Sequence, residues 1–369
     1  MIATAAVTEA RCAPFVLQEV EVEAPRPDEV LVKVAASGIC HTDLICRDAW
    51  YPVPFPTVFG HEGAGVVEAV GEAVTGVRPG DRVAMSFHSC GQCRNCGRGL
   101  PSYCHGFFEH NFGSTRPSDG SSALSRGGEL VHGHFFGQSS FATYSVANER
   151  NVVRLEGSMP LELAAPLGCG IQTGAGAVLN TLQVPTGASL AVFGAGAVGL
   201  AAVMAGAIAG AGTIVAVDLR PARLELAREL GATHVVDASL EDPVEAVRAA
   251  TGGGADFSLE ATGSPAVLRQ AVDCLAPLGA CGVIGAPAFG TEVTLDVNTI
   301  LVGGRTVRGV VEGDSVPQVF LPRLVRLWEE GRFPVERLTT FSDFDRIQEA
   351  AHDAESGAVV KPVLRMTDG

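Results

Sequence analysis

Basic residues are scarce in this chain of 369 residues, in which 26 Lys and Arg are outnumbered by 41 Asp and Glu, for a net charge of −15. No run of Lys or Arg interrupts this acidic composition. Nucleic acids and anionic membranes attract basic patches, whereas an acidic surface is repelled by both. The composition therefore argues against nucleic-acid and membrane partners.

An export signal is also missing, because residues 1–4 lack the basic segment that opens a signal peptide and no long apolar stretch follows them. We therefore expect a cytoplasmic protein whose 10 cysteines are reduced. Six of the cysteines fall into two metal-ligand patterns. The others are interpreted as small buried apolar side chains, namely Cys12, Cys46, Cys274 and Cys281.

Charge is absent from residues 163–217, a stretch long enough to raise the question of a membrane span. Proline and glycine divide it, however, into a strand over 191–193, a helix over 198–208 and a strand over 214–217. Continuously apolar strands beside an apolar helix are typical of a parallel sheet covered on both faces. The pattern predicts an internal α/β core rather than a membrane span.

Two domains are predicted, because the length suits two better than one and the pattern changes along the chain. The first third alternates short strands with turns, as in an all-β domain. Beyond about residue 165, strands and helices alternate as in a doubly wound (Rossmann) nucleotide domain. The last segment, with a helix over 322–330 and a closing strand over 363–365, is too short to form another domain. We assign the Rossmann domain to 171–310, and a mainly β domain to 1–170 with 311–369.

Four closely spaced cysteines predict a structural zinc site. They follow the pattern Cys-x2-Cys-x2-Cys-x7-Cys and are Cys90, Cys93, Cys96 and Cys104. Short intervals allow the four thiolates to converge on one tetrahedral ion, and four sulfurs leave no open coordination position.

A second set of residues has three candidate ligands, Cys40, His61 and Cys169. Three protein ligands with the fourth position free for water or substrate is the arrangement of catalytic zinc sites. The sequence therefore predicts two zinc ions per chain, one structural and one catalytic.

A glycine-rich loop, Gly194-Ala195-Gly196-Ala197-Val198-Gly199, follows a predicted strand and begins a helix. Gly194 permits the turn, Gly196 lets the backbone approach a pyrophosphate and Gly199 lets helix pack on strand. The next strand ends at Asp218, whose carboxylate would bind the ribose hydroxyls and repel a 2′-phosphate. We predict NAD as the cofactor, although Arg220 and Arg223 could each pair with a phosphate.

These motifs resemble the zinc-containing medium-chain alcohol dehydrogenases over essentially the whole chain. Within that family, the chain is most similar to bacterial aryl-alcohol (benzyl alcohol) dehydrogenases. The family resemblance rests on Gly60-His61-Glu62-Gly63-Ala64-Gly65, the four-cysteine lobe and the segments 167–170 and 194–199, and the closer similarity rests on the segments 40–44, 51–54, 135–144 and 168–174. The resemblance implies a GroES-like catalytic domain and assembly as a homodimer or homotetramer, with residues 291–311 as a candidate interface.

The resemblance also implies a role for each matching position. Cys40, His61 and Cys169 hold the catalytic zinc, Asp43 orients His61, and Glu62 lies behind the metal. Thr42 contacts the alcohol oxygen and begins a proton relay. Cofactor contacts are assigned to the glycine loop, Asp218 and Arg223, to Thr173, Val198 and Ile284 beside the nicotinamide, and to His41 and Lys361 at the pyrophosphate.

The implied reaction interconverts a primary alcohol and its aldehyde, with zinc as a Lewis acid and hydride transfer to NAD. Where some relatives end the proton relay in a histidine, this chain has Ile45, so His41 or water would complete the relay. The pocket is assigned to Phe87, Phe135 and Phe136, with Trp50 near in sequence, and Ile284 also matches a pocket-lining position. These aromatic side chains favour benzylic, cinnamyl or terpenoid alcohols over ethanol.

Two alternatives stay open at this point. The same scaffold could oxidise formaldehyde or a thiol adduct, which would require cationic groups at the pocket mouth. A zinc-holding scaffold or redox sensor would keep the four-cysteine lobe but would have no use for an open metal site beside a nucleotide loop.

Overall fold

The computed structural model describes residues 1–366. Its strands are β1 (Ile2–Thr8), β2 (Val16–Val22), β3 (Glu29–Gly38), β4 (Thr57–Val58), β5 (Gly63–Val70), β6 (Arg82–Met85), β7 (Leu124–Arg126), β8 (Glu129–Val131), β9 (Tyr144–Asn148), β10 (Val152–Arg154), β11 (Ser189–Phe193), β12 (Thr213–Asp218), β13 (His234–Asp237), β14 (Ala255–Glu260), β15 (Leu275–Val283), β16 (Thr306–Gly309), β17 (Thr339–Asp343) and β18 (Lys361–Arg365).

The α-helices are α1 (His41–Arg47), α2 (Phe107–Phe112), α3 (Leu161–Ala164), α4 (Gly170–Gly176), α5 (Ala197–Ala209), α6 (Pro221–Glu229), α7 (Pro243–Thr251), α8 (Pro265–Asp273), α9 (Val297–Gly303), α10 (Pro317–Glu329) and α11 (Ile347–Ser356). Within residues 1–366, no helix combines the length and apolar character needed to cross a membrane.

The chain divides into two compact units. The first contains Met1–Cys169, Val316–Gly331 and the chain from Val335 onward, and the second contains Gly170–Ser315 and Arg332–Pro334.

The first unit is built from two mainly antiparallel sheets, with strand orders β4-β1-β2-β7-β8 and β10-β6-β5-β3-β18-β17. The strand β9 also pairs with β3. Alternating apolar residues on β3, β5 and β6 form a buried core that includes Val30, Val32, Val34, Val67 and Val83. The C-terminal strand β18 pairs antiparallel with β3, which ties the end of the chain to the first unit.

The second unit contains one parallel six-stranded sheet in the order β13-β12-β11-β14-β15-β16. Every residue of β11 is buried, as expected for a strand covered on both faces. The strand order reverses between β11 and β14, and in such sheets ligands bind outside the carboxyl ends of the strands at this switch point. The predicted fold class, a doubly wound α/β domain plus a mainly β domain, is confirmed.

Candidate functional site

Cys40, His61 and Cys169 come together within the first unit, although they are far apart in sequence. Cys40 lies between β3 and α1, His61 precedes β5, and Cys169 follows the short helical segment after α3. Their ligand atoms all lie within 4.8 Å of one another. Zinc binds sulfur at about 2.3 Å and nitrogen at about 2.0 Å. The three side chains are therefore close enough to share one ion.

The donor chemistry of this cluster fits a metal. The Nε2 atom of His61 is buried and has no hydrogen-bond partner among the described residues, and such an orphaned polar atom is costly unless it ligates something. The pKa of the Cys40 thiol is held well below its usual range, first by a hydrogen bond with Cys169 and also by the nearby imidazole. A lowered thiol pKa favours the thiolate, which is the form that binds zinc.

Asp43 sets the orientation of the imidazole. One of its carboxylate oxygens lies 2.8 Å from His61 Nδ1, and neither side chain is exposed. The same carboxylate accepts hydrogen bonds from the backbone N–H groups of Cys40 and Gly60. Because Nδ1 then carries the proton, Nε2 presents its lone pair to the metal position. Burial lowers the pKa of His61, but the Asp43 carboxylate and Cys40 together outweigh this effect and raise the pKa well above its ordinary value. A metal ion at Nε2 would take the place of the proton that these two groups favour.

Behind the cluster, Lys361 has a partner that the sequence did not predict. Its ammonium donates hydrogen bonds to both carboxylate oxygens of Glu62 and to the carbonyl of Ile39, so its three N–H groups all have acceptors in this chain. Lys361 is buried rather than a surface charge. Its assigned contact with the cofactor pyrophosphate stays a prediction. Burial raises the pKa of Glu62 above its ordinary value, and the Lys361 charge partly opposes that rise.

The helix α1 carries the residues assigned to proton transfer. Thr42 Oγ1 lies 3.8 Å from the Cys40 sulfur, next to the metal cluster. Ile45 is buried and apolar, so it cannot pass on a proton. His41 is exposed, and its ring meets the edge of Trp50 with centroids 6.3 Å apart.

The four cysteines of the predicted structural site converge as well. The sulfurs of Cys90, Cys93, Cys96 and Cys104 lie within 4.8 Å of one another. Backbone N–H groups of Gln92 and Cys93 donate to the Cys90 sulfur, and that of Cys90 donates to Cys104. Backbone hydrogen bonds lower the pKa of Cys93 to about 6, whereas burial raises that of Cys104 to about 12. Four sulfurs in this geometry fit a closed tetrahedral ion.

The aromatic residues assigned to the substrate pocket differ in exposure. Trp50 is 46% exposed, but Phe135 is fully buried and Phe136 and Phe87 are each 3% exposed. Phe87 packs against Phe107, with ring centroids 5.8 Å apart. Phe135 and Phe136 pack against His61. Phe135 in particular has no surface to offer a substrate in this structure.

A further group of aromatic side chains, which contacts Phe136 through Phe112, was not predicted from the sequence. Tyr51 contacts Phe112 edge-on at 5.5 Å and Phe108 at 6.4 Å, and Phe108 is 40% exposed. Phe108 and Phe112 lie one turn apart on α2, so they stack on the same face of that helix. The Gly- and Ser-rich composition of residues 106–133 concealed this helix.

The glycine-rich loop of the second unit is shaped for a close approach. Gly194 has φ of +96°, and a Cβ on Gly199 would lie 1.8 Å from the carbonyl oxygen of Gly194. In contrast, a Cβ on Gly196 would meet nothing within 4 Å, which leaves open space in front of the loop. The helix α5 begins immediately after Gly196, so its free N–H groups face that space. The loop therefore fits a pyrophosphate.

Asp218, at the end of β12, holds the loop in place. One carboxylate oxygen accepts a hydrogen bond of 2.7 Å from the N–H of Ala195, and the other accepts from Leu219 and Arg220. Arg223 lies on α6 close by, and burial lowers the pKa of its guanidinium. Asp218, the acid expected to bind ribose, is thus hydrogen-bonded to the loop that is expected to bind phosphate.

The residues assigned to the nicotinamide lie on neighbouring elements of the second unit. Thr173 is on α4 and Val198 is on α5, and these helices cross so closely that a Cβ on Gly174 would lie 1.9 Å from the carbonyl oxygen of Val198. Ile284 follows β15, and its N–H donates to the carbonyl of Glu260 on β14. Ile284 therefore lies at the carboxyl ends of the strands, where ligands bind in such sheets.

Two family models match the chain. The alcohol dehydrogenase GroES-like domain matches residues 26–157, and the zinc-binding dehydrogenase model matches residues 197–329. The geraniol dehydrogenase of Castellaniella defragrans is 48% identical over 363 residues, which cover 98% of this chain and 97% of that protein.

Two solved structures of similar proteins match the fold of this chain over its full length. An alcohol dehydrogenase zinc-binding domain protein from Burkholderia ambifaria is 54% identical with a TM-score of 0.98, and the match covers 100% of both chains. The benzyl alcohol dehydrogenase of Acinetobacter calcoaceticus is 49% identical with a TM-score of 0.96, again over 100% of both chains.

Proposed function

The chain belongs to the zinc-containing medium-chain alcohol dehydrogenases, and from that premise we propose that it interconverts primary aromatic or allylic alcohols and their aldehydes with NAD. The observation that carries the proposal is the unpartnered, buried Nε2 of His61 beside two cysteine sulfurs. The similarity to proteins named geraniol and benzyl alcohol dehydrogenase supports the substrate class.

Cys40, His61 and Cys169 would hold the catalytic zinc, and Cys90, Cys93, Cys96 and Cys104 the structural one. When bound, the catalytic zinc supplies Lewis acidity that lowers the pKa of an alcohol hydroxyl, and NAD accepts the hydride. Two sulfurs and one imidazole nitrogen would fill three coordination positions of zinc and would leave the fourth for a substrate oxygen. Asp43 keeps the imidazole in the tautomer that can bind a metal.

The proton released from the alcohol needs an acceptor on this chain. The hydroxyl of Thr42 lies beside Cys40 and can take that proton while donating its own onward. Ile45 cannot accept a proton at the position where some relatives have the last histidine of the relay. We therefore assign the last proton acceptor to His41, which is exposed to solvent. His41 can then pass the proton to water.

The second unit would bind NAD through the open space at Gly196 and the helix N-terminus behind it. The Asp218 carboxylate already accepts three backbone hydrogen bonds, two of them on one oxygen, and keeps a lone pair free on the oxygen next to Ala195 for a ribose hydroxyl. Its negative charge would repel a 2′-phosphate, which supports NAD over NADP.

For the substrate class, the support lies in part-exposed aromatic side chains of the first unit. Trp50 and Phe108 are 46% and 40% exposed, and Tyr51 packs on the α2 aromatics. Flat aromatic surfaces suit benzylic and allylic carbons better than ethanol.

A homodimer or homotetramer is proposed for the assembly and the cytoplasm for its location. Among the described residues, β16 is the strand at one edge of the parallel sheet, and all four of its residues are exposed. Large apolar side chains lie exposed near that edge, namely Leu278, Leu301, Val302 and Val307. An uncovered edge strand beside exposed apolar side chains is unusual in a monomer, so pairing with a second copy through β16 would cover both. Sedimentation of purified protein tests this assembly.

The test of function is NADH formation across benzyl alcohol, geraniol, cinnamyl alcohol, ethanol and hydroxymethylglutathione. We expect the highest kcat/KM with the aromatic and allylic alcohols. A preference for ethanol would contradict the substrate class, and turnover of the glutathione adduct alone would favour a formaldehyde-type enzyme. No NADH from any substrate, with a single zinc per chain, would favour a zinc-holding scaffold.

A further inference from the structure

The ring of Phe136 lies face to face with the imidazole of His61. The ring centroids are 4.4 Å apart and the planes are inclined by 26°. Phe135 meets the same imidazole edge-on at 5.5 Å and 80°. His61 is fully buried, as is Phe135, and Phe136 is 3% exposed. One zinc-ligand candidate is thus enclosed by two aromatic side chains.

The hydrogen bond from Asp43 cannot fix the imidazole alone. It holds Nδ1 at 2.8 Å from the carboxylate, but the ring can still swing about that contact and carry Nε2 with it. A flat ring stacked on one face blocks this motion, because any tilt drives the two π surfaces into each other. The stacked ring and the carboxylate together would fix both the direction and the plane of the imidazole.

Phe136 is itself held firmly. Its backbone has φ of 50° and ψ of 31°, a left-handed conformation that is unfavourable for a large side chain. Its carbonyl accepts a hydrogen bond of 2.8 Å from the side-chain amide of Asn151, and that amide also donates to the carbonyl of Ser86. The contacts around Phe136 therefore keep its ring over the imidazole despite the unfavourable backbone.

The segment that carries Phe136 also holds the backbone of the ligand. The side-chain amide of Gln138 donates to the carbonyl of His61 and accepts a hydrogen bond from the N–H of Gly63. Residues 135–138 thus contact the ring and the main chain of the same histidine.

We propose that Phe136 is a positioning residue for the catalytic metal, acting through His61. The inference rests on the proposed metal site. Groups that orient a metal-binding histidine usually change metal affinity by about 10- to 100-fold when removed. Phe136 would act on the metal through the ligand on which it stacks.

The test compares Phe136→Leu, which removes the flat face, with Phe136→Tyr, which keeps it. Phe112→Leu is the matched control, because Phe112 is a buried aromatic 5.1 Å from Phe136 and has no ring contact with His61 among the described residues. Each protein is purified with both zincs bound. The rate of zinc loss to a chelator, the visible spectrum after cobalt replaces the catalytic zinc, and kcat and KM with benzyl alcohol and ethanol are then measured.

For Phe136→Leu we expect the catalytic zinc to leave about tenfold faster. The cobalt spectrum should shift, and kcat should fall by the same factor for both alcohols. The structural zinc should be retained, and Phe136→Tyr and Phe112→Leu should keep the normal rate of zinc loss. An unchanged rate and spectrum, with a higher KM for benzyl alcohol alone, would overturn the proposal in favour of a pocket wall.

If Phe136→Leu does not fold, Asn151→Ala provides the same test by releasing the carbonyl of Phe136 while keeping its ring. Faster loss of the catalytic zinc supports the proposal, and an unchanged rate in a folded Asn151→Ala protein contradicts it. Failure of the proposed function would look different, because the unaltered protein would then bind a single zinc or form no NADH.

Discussion

The Lys361 ammonium lies 2.9 Å from each carboxylate oxygen of Glu62, and the two side chains are 3% and 0% exposed. This ion pair is buried next to the metal cluster and joins the C-terminal strand β18 to the residue that follows His61. Removing one partner leaves the other charged and buried, which is costly.

We therefore expect Lys361→Met to lower the free energy of unfolding by about 3 to 5 kcal/mol. The double variant Glu62→Gln with Lys361→Met should recover part of this loss, because it removes both charges. Urea denaturation measures both effects. Arg154→Met, which breaks the exposed pair with Glu156, is the control and should cost no more than about 1 kcal/mol. An equal loss of unfolding free energy in Lys361→Met and Arg154→Met would contradict the role of burial.

Replacement of Cys93 by Ser should release the structural zinc and leave the catalytic one. A structural zinc contributes directly to folding, so the lobe around residues 90–104 should lose its structure. Metal analysis should find one zinc per chain, and limited proteolysis should cut within that lobe. Cys12→Ser is the control, since Cys12 lies outside both clusters and is exposed, so the expectation that it is buried was wrong. Two zincs and normal protease resistance in Cys93→Ser would show that the sites are divided wrongly.

Substitution of Asp218 should act on cofactor selectivity and on the loop together. Asp218→Asn keeps an oxygen acceptor but loses the charge, so the ratio of kcat/KM for NAD to that for NADP should fall about tenfold, as expected for one charge-assisted hydrogen bond. Asp218→Gly should also weaken NADP binding, because the N–H of Ala195 loses its partner.

The same ratio in Asp237→Asn is the control, since Asp237 ends the neighbouring strand β13 and its carboxylate accepts hydrogen bonds from Ser239 rather than from the glycine-rich loop. An unchanged ratio in Asp218→Asn would count against the assigned role of this carboxylate.

Two buried histidines should make stability fall in acid. Burial, aided by His110, lowers the pKa of His88 to about 3, and burial, aided by Arg116, lowers that of His134 to about 3. An unfolded chain protonates histidine near pH 6.5, so between about pH 6.5 and 3 the unfolded state binds more protons than the native state. Each histidine should therefore cost about 2 kcal/mol of stability by pH 5.

Urea denaturation of the zinc-loaded protein between pH 7 and 5 measures this loss (about 1.4 kcal/mol per pH unit for each group). His134→Gln should lose less stability on acidification than the unaltered protein. His234→Gln, at an exposed position, should behave like the unaltered protein. Identical pH dependence in all three would refute the assignment.

The Rossmann half of the fold was predictable because its signals are local. The glycine loop, the apolar strand before it and the acid at the end of the next strand lie within residues 189–218, and the predicted helix over 198–208 is α5. The boundary of α10 was less accurate. Pro322 was taken as its start, but the helix begins at Pro317 and Pro322 lies inside it.

The remaining features depend on tertiary contacts that no local pattern encodes. Lys361 and Glu62 are separated by 299 positions, so their pairing had no signal in either segment. The aromatic residues at 135 and 136 were assigned to the substrate pocket, but in the sequence an aromatic pair looks the same whether it faces a substrate or stacks on a histidine. The six-residue helix α2 is too short to show a helical period.

The central claim is that Cys40, His61 and Cys169 hold a metal on which turnover depends. Zinc content and NADH formation from benzyl alcohol, measured side by side for the unaltered protein and Cys169→Ala, test it most directly. We expect two zincs and turnover in the first, and one zinc, an intact fold and no turnover in the second. Two zincs or persistent NADH formation in Cys169→Ala would contradict the account.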